Sequence, residues 1–160
     1  MVDMRWHQIR QKIAQIIEKS GQFIQIVHLS EGDSPDAQPF MYTIGNFQLG
    51  LSELLIVGTD ERFATDILNM LGELQRKRGK AFVEEELVDL CGKFPIRIVD
   101  AGEIGRRDYA TFVGMFYDRE DYKVRQVLLP DTQGRWPDTP GCDRPYCEQP
   151  ILSSFGRAIH

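Results

Sequence analysis

An α+β fold is predicted for this chain: one domain on a mostly antiparallel sheet of about five strands with about three helices. Three observations predict it. The chain opens on a helix pattern and not on a strand. Two apolar runs, Phe40 to Gly45 and Leu54 to Val57, lie close enough to pair as antiparallel neighbours. Helix and strand patterns then follow without the steady alternation of a doubly wound sheet. At 160 residues the chain suits one core, residues 1–160 forming a single globular unit with no internal repeat.

The elements follow in order. Trp6, Ile9, Ile13, Ile16 and Ile17 recur at helical spacing, so a helix is expected over 1–20, ended by Ser20-Gly21. Phe23 to Leu29 is rich in β-branched residues and reads as a strand. Ser30 to Pro39 carries two prolines, a glycine and three acids, which makes a solvated loop. Phe40-Met41-Tyr42-Thr43-Ile44-Gly45 is a second strand, with Gly45-Asn46 as its turn. Leu54 to Val57 is apolar at every position, as in a central strand covered on both faces.

The best-specified helix comes next. Thr59 suits its cap, and Asp60 and Glu61 suit the positive end of its dipole. Phe63, Ile67, Leu68, Leu71 and Leu74 form its apolar face. Arg76-Lys77-Arg78 lies against the negative end, and Gly79 suits the left-handed position that closes it. Phe82 to Leu90 is ambiguous because Glu84, Glu85 and Glu86 crowd it. Phe94 to Val99 reads as a strand with its proline near the start. Tyr109, Phe112, Val113 and Phe116 suggest a short aromatic helix.

Tyr122 to Leu129 alternates, with Tyr122, Val124, Gln126 and Leu128 on one side. Lys123, Arg125, Val127 and Leu129 take the other. A long Pro-rich loop spans 130–150, and Pro150-Ile151-Leu152 reads as a short edge strand. A frayed tail is expected over 154–160.

Composition excludes several classes. The net charge of −5, from 24 acidic and 19 basic residues, argues against nucleic acid, whose binders usually present a basic face. Met1 to Lys19 is studded with charges, so no secretory leader is expected, and no apolar run is long enough to span a bilayer. Three cysteines, Cys91, Cys142 and Cys147, are an odd number and read as reduced thiols in a cytoplasmic protein. Cys142 and Cys147 stand too far apart for the usual close pair of a zinc site. Whether they pair stays open. No metal and no cofactor is expected: there is no phosphate-binding glycine pattern, and no histidine sits in sequence near Cys91 to activate it as a nucleophile.

The residues that carry chemistry are few. Val127-Leu128-Leu129 breaks into Pro130-Asp131-Thr132-Gln133-Gly134-Arg135-Trp136-Pro137, a loop holding a carboxylate, a guanidinium and an indole. Asp131 to Gly134 fits a turn with Asp first and Gly fourth. Arg135 either pairs with Asp131 or offers its planar fork to a ligand. Trp136 walls a cleft or covers the core edge. Glu53 is a candidate general base at a strand start, or else accepts backbone donors and fixes a turn. Tyr42 is a binding candidate or a core tyrosine with a buried partner. Gln126, in phase with core residues, ties its strand to the loop or reads a ligand.

Four blocks in order resemble the bacterial domain of unknown function 4262 family. They are Tyr42-Thr43-Ile44-Gly45, Glu53-Leu54-Leu55-Ile56-Val57-Gly58, Ile67-Leu68-Asn69, and Gln126 to Asp131 with Gly134-Arg135. The resemblance runs over roughly 21–152 and implies no activity. Relatives commonly place a histidine and a proline before the glutamate, where this chain has Leu51-Ser52. They also place an aromatic, a proline and a tryptophan after the Gly-Arg pair, where this chain has Trp136-Pro137-Asp138. A reaction that used that histidine would be lost here.

The expected function is a binding module, with a small molecule or peptide in a cleft beside the 130–137 loop. Tyr42, Gln126, Arg135 and Trp136 are its binding candidates. The alternatives are a hydrolase or transferase using Glu53 and Asp131 as paired carboxylates, and a protein-interaction or assembly subunit. The partner is thus a small molecule or a protein, with a homo-oligomer left open.

Overall fold

Two antiparallel meanders joined by one parallel pair form the sheet in the computed structural model, which describes residues 4–90 and 92–153. The first meander is β1 (Phe23–Val27), β2 (Phe40–Ile44) and β3 (Glu53–Val57). The second is β4 (Glu86–Val88), β5 (Ile96–Asp100) and β6 (Val124–Leu128). The sheet order is β1-β2-β3-β6-β5-β4. β3 and β6 run parallel, with Glu53 opposite Val124 and Leu55 opposite Gln126. The protein is a single α+β domain, but the sheet is mixed and six-stranded where about five antiparallel strands were expected.

The extra strand, β4, lies in the acid-rich stretch. Its acids are drawn off by distant arginines: Glu86 by Arg78, Glu85 by Arg97 and Glu84 by Arg125. The parallel pair escapes local patterning because strands so distant in sequence meet only through the crossover between them.

Four α-helices are present among the described residues: α1 (Met4–Ser20), α2 (Glu61–Arg78), α3 (Gly102–Ile104) and α4 (Thr111–Tyr117). A π-helical turn over Gly105–Tyr109 links the last two. α2 covers one sheet face, packing Ile67, Leu68 and Leu71 on Leu54, Ile56, Ile98 and Val127. α1 and α4 cover the other, where Ile13, Ile17, Val113 and Phe116 meet Tyr42, Leu55 and Val124. Full burial of each such aliphatic side chain contributes about 1.5–3 kcal/mol.

The helix stripes are narrower than the sequence suggests. On α1, Ile13 and Ile17 are buried, but Ile9 and Ile16 remain exposed. On α2, Phe63 and Leu74 are exposed, because the helix meets the sheet along Ala64, Leu68, Leu71 and Gln75. Asp60, not Thr59, caps α2 by accepting the Phe63 N–H at 3.1 Å. Gly79 closes it as expected, in the left-handed region at φ 68°, where a side chain is disfavoured. The basic end of α2 is occupied: Lys77 pairs with Glu73 and Arg78 with Glu86.

Ile151-Leu152 is not a strand; Leu152 is buried in the α4-side core and begins a helical turn. The expected 154–160 tail, Cys91 and His160 lie outside the described residues.

Candidate functional site

The parallel pair gives the sheet two chemically different ends. At the end where β3 and β6 begin, Glu53 is fully buried and surrounded by donors. The Thr43 hydroxyl donates to its Oε1 at 2.8 Å, and the N–H groups of Gly45, Asn46 and Phe47 donate at 3.0, 3.2 and 3.1 Å. The Tyr117 hydroxyl donates at 3.4 Å. Burial outweighs these backbone and hydroxyl donors, which pull the other way, and raises the carboxyl above its ordinary value. With its acceptor positions filled this way, Glu53 organises the turn after β2.

A polar network continues from it. Thr43 Oγ1 accepts from Leu54 N and Asn46 Nδ2. Asn46 Nδ2 also donates to Gln22 Oε1, and Arg76 bridges Gln22 Oε1 and Asn46 Oδ1, both at 2.9 Å. Gln22 Nε2 reaches the Leu68 carbonyl on α2. The network ties α2, β2 and the turn together, and nothing in local sequence pattern announces it.

Tyr42 lies mid-sheet, opposite Leu55, and is buried. Its hydroxyl accepts the Phe112 N–H at 3.1 Å, and burial pushes its ionisation up to about 12. Gln126 is also buried; its side chain donates to the Pro150 carbonyl and accepts from Leu152 N at 3.0 Å. It fastens the C-terminal segment to β6.

The opposite end, beyond the carboxyl ends of β3 and β6, carries the 130–137 loop. Asp131 has four donors: Gln133 N and Arg135 N on Oδ1, and Arg135 Nε and Asp143 N on Oδ2, all within 3.0 Å. Desolvation pushes its carboxyl up, but these donors together hold it well below the usual carboxylate range. Arg135 spends its remaining fork on Asp143 at 2.9 Å. Trp136 stands by Arg97, whose guanidinium carbon is 5.8 Å from the indole centroid, and its backbone N–H donates to Thr139 Oγ1 at 3.2 Å.

The six sequence candidates therefore do not share one hollow. Asp131, Arg135 and Trp136 form one loop; Tyr42, Gln126 and Glu53 are buried elsewhere. Glu53 and Asp131 are separated by the whole of β6, five residues or about 13 Å at the usual strand rise. That exceeds the roughly 6–10 Å of paired-carboxylate sites, so the geometry does not supply a paired acid and base.

A cavity does lie beside the loop. It has a volume of about 380 Å³ and is bounded by Leu129 to Thr132 on one side and by Phe63, Ile67 and Met70 of α2 on the other. Phe94, Lys93 and Tyr146 complete its wall. A smaller hollow of about 170 Å³ adjoins it, sharing Phe63, Leu129 and Tyr146 and reaching Gly58-Thr59-Asp60 after β3. Both hollows lie beyond the carboxyl ends of β3 and β6, the one parallel pair of the sheet.

The sequence reading located one wall of this cleft, the 130–132 segment. It missed the other because Phe63 was assigned to the core. The available signal was a second stripe on α2, Phe63, Ile67 and Met70 at helical spacing, beside the one that meets the sheet.

Cys142 and Cys147 are free thiols. Among the described residues no three His, Cys, Asp or Glu side chains gather as a metal site would require, and no helix is long and apolar enough to cross a membrane.

The chain matches no curated protein and no solved structure. Residues 16–143 match the model of a family described as domain of unknown function (DUF4262). That span takes in the Glu53 turn, both strands of the parallel pair and the Asp131–Arg135 loop. It stops short of Tyr146, Gln149 and Leu152. By that match over most of its length, the chain belongs to the DUF4262 family.

Proposed function

We propose that this protein is a small-molecule binding module whose ligand lies between α2 and the 129–132 segment. The observation that carries the reading is the cavity itself: about 380 Å³, with exposed Phe63 and Met70 facing Leu129 and Pro130. That volume falls in the range of pockets that hold drug-sized ligands. Arg135 and Trp136 do not line the cavity; they hold the loop that does. Its rigidity comes from Asp131, so the wall needs little ordering when a ligand arrives.

A fragment screen by ligand-observed NMR tests the proposal, run on the wild type and on Met70→Trp. Met70 is about half exposed on α2, so an indole there fills the cavity without entering the core. Fragments that bind the wild type and lose binding in Met70→Trp support the reading. No binders, or binders indifferent to Met70→Trp, overturn it.

A further inference from the structure

We infer that the cleft selects small amphipathic anions, an aryl or alkyl carboxylate with its apolar body against α2 and its charge at Lys93. The inference rests on the cleft being a binding site and adds what it would take. Its lining is apolar and aromatic apart from two charged residues, Lys93 and Asp131. These two are not equivalent.

Asp131 has no charge to offer a ligand. Each carboxylate oxygen already accepts two hydrogen bonds, and the Arg135 guanidinium neutralises it at 2.9 Å. A cationic ligand would have to displace donors that are built into the loop. Lys93 is the reverse case. No carboxylate among the described residues pairs with it, and its ammonium sits 5.4 Å from the centre of the Phe94 ring. Against a net charge of −5, which repels anions at long range, this cation makes the cleft locally favourable to a negative head group. The side-chain hydroxyls of Tyr146 and Thr132, both lining the cleft, have no hydrogen-bond partner among the described residues. Each can donate to a carboxylate oxygen. A cation and two hydroxyl donors around an apolar trough match an anionic head on a hydrocarbon body.

The probes are phenylbutyrate, phenylbutanol and phenylbutylamine, which share a body and differ in the charge of the head. Affinities are read by NMR titration at low salt. The acid is expected to bind about three- to fivefold tighter than the alcohol, the scale of one partly exposed ion pair. The amine is expected to bind weakest. Lys93→Gln should abolish the preference for the acid over the alcohol, and Lys93→Glu should reverse the order of acid and amine. Raising the salt to about 1 M should also remove the preference. The inference is overturned if the alcohol binds as well as the acid, or if Lys93→Gln leaves their ratio intact. Failure of the underlying site looks different: none of the three binds, or Met70→Trp leaves all of them bound.

Discussion

Gln75 and Ser52 exchange two hydrogen bonds, the side-chain amide of one acting as a strand neighbour to the backbone of the other. Gln75 Nε2 donates to the Ser52 carbonyl at 3.0 Å, and Ser52 N donates back to Oε1 at 3.2 Å. The same Oε1 accepts Phe82 N at 3.1 Å. One buried amide thus fixes the entry to β3 and the chain leaving α2. Gln75→Leu keeps the volume roughly but leaves three buried backbone groups without partners. We expect a loss of about 3 kcal/mol in urea unfolding, with faster amide exchange at Ser52 and Phe82. A loss under about 1 kcal/mol would show that water replaces the amide.

Gly72 offers a test in which the usual helix rule changes sign. Alanine normally stabilises a mid-helix position over glycine by about 1 kcal/mol. Here a Cβ would lie 2.1 Å from Gln22 Oε1. That oxygen cannot simply swing away, since it accepts from Asn46 and Arg76 while its own amide nitrogen holds the Leu68 carbonyl. Gly72→Ala is therefore expected to lower the melting temperature, whereas Gly72→Ala combined with Gln22→Ala should recover part of the loss. A stabilised single variant would contradict this account of the network.

These two residues also show where sequence reading stops. α2 was legible because caps, charge bias and an apolar stripe all agree within one segment. The central strand β3 was legible because its apolar run needs no partner to be recognised. Gln75, Gln22 and Asn46 carry no such local mark: each is an ordinary polar residue whose partners lie far away in the chain. β4 was hidden for the same reason, since Glu86 and the two glutamates before it are balanced by Arg78, Arg97 and Arg125 across the fold. The cleft was half legible. Pro130-Asp131 marks a loop by composition alone, but the opposing wall exists only once α2 is laid on the sheet with Phe63 turned outward.

The turn around Glu53 depends on the buried acceptors that its carboxyl provides. Glu53→Ala removes the acceptor of three backbone N–H groups and the Thr43 hydroxyl at once. Leaving several buried donors unsatisfied is expected to cost about 3–5 kcal/mol, a large share of a typical domain's stability. Thr43→Val is isosteric and should cost about 2 kcal/mol, because it takes one donor from Glu53 and the shared acceptor of Leu54 N and Asn46 Nδ2. The pair in one chain should cost less than the sum, as both changes break the same contact. Chemical denaturation of the four proteins measures this, and strict additivity would mean that Thr43 and Glu53 act independently.

Asp131 should give the protein an acid-sensitive loop. Its carboxyl is held below the ordinary range in the folded state, so the folded form binds its proton less readily than the unfolded form does. Stability from this group is fully present above the ordinary aspartate value of about 3.9 and drains away as pH falls toward the lower folded value. Asp131→Asn cannot titrate, and its amide nitrogen has no lone pair for the donors that Oδ2 serves, Arg135 Nε and Asp143 N. The variant is thus expected to melt below the wild type at neutral pH, with the gap narrowing steadily from about pH 4 down to about pH 2. Carboxylates remote from the loop have the same surroundings in both proteins and cancel in the difference. Thermal melts across that range decide the matter: a gap that stays constant or widens with acid would show that the Asp131–Arg135 pair does not hold the loop by charge.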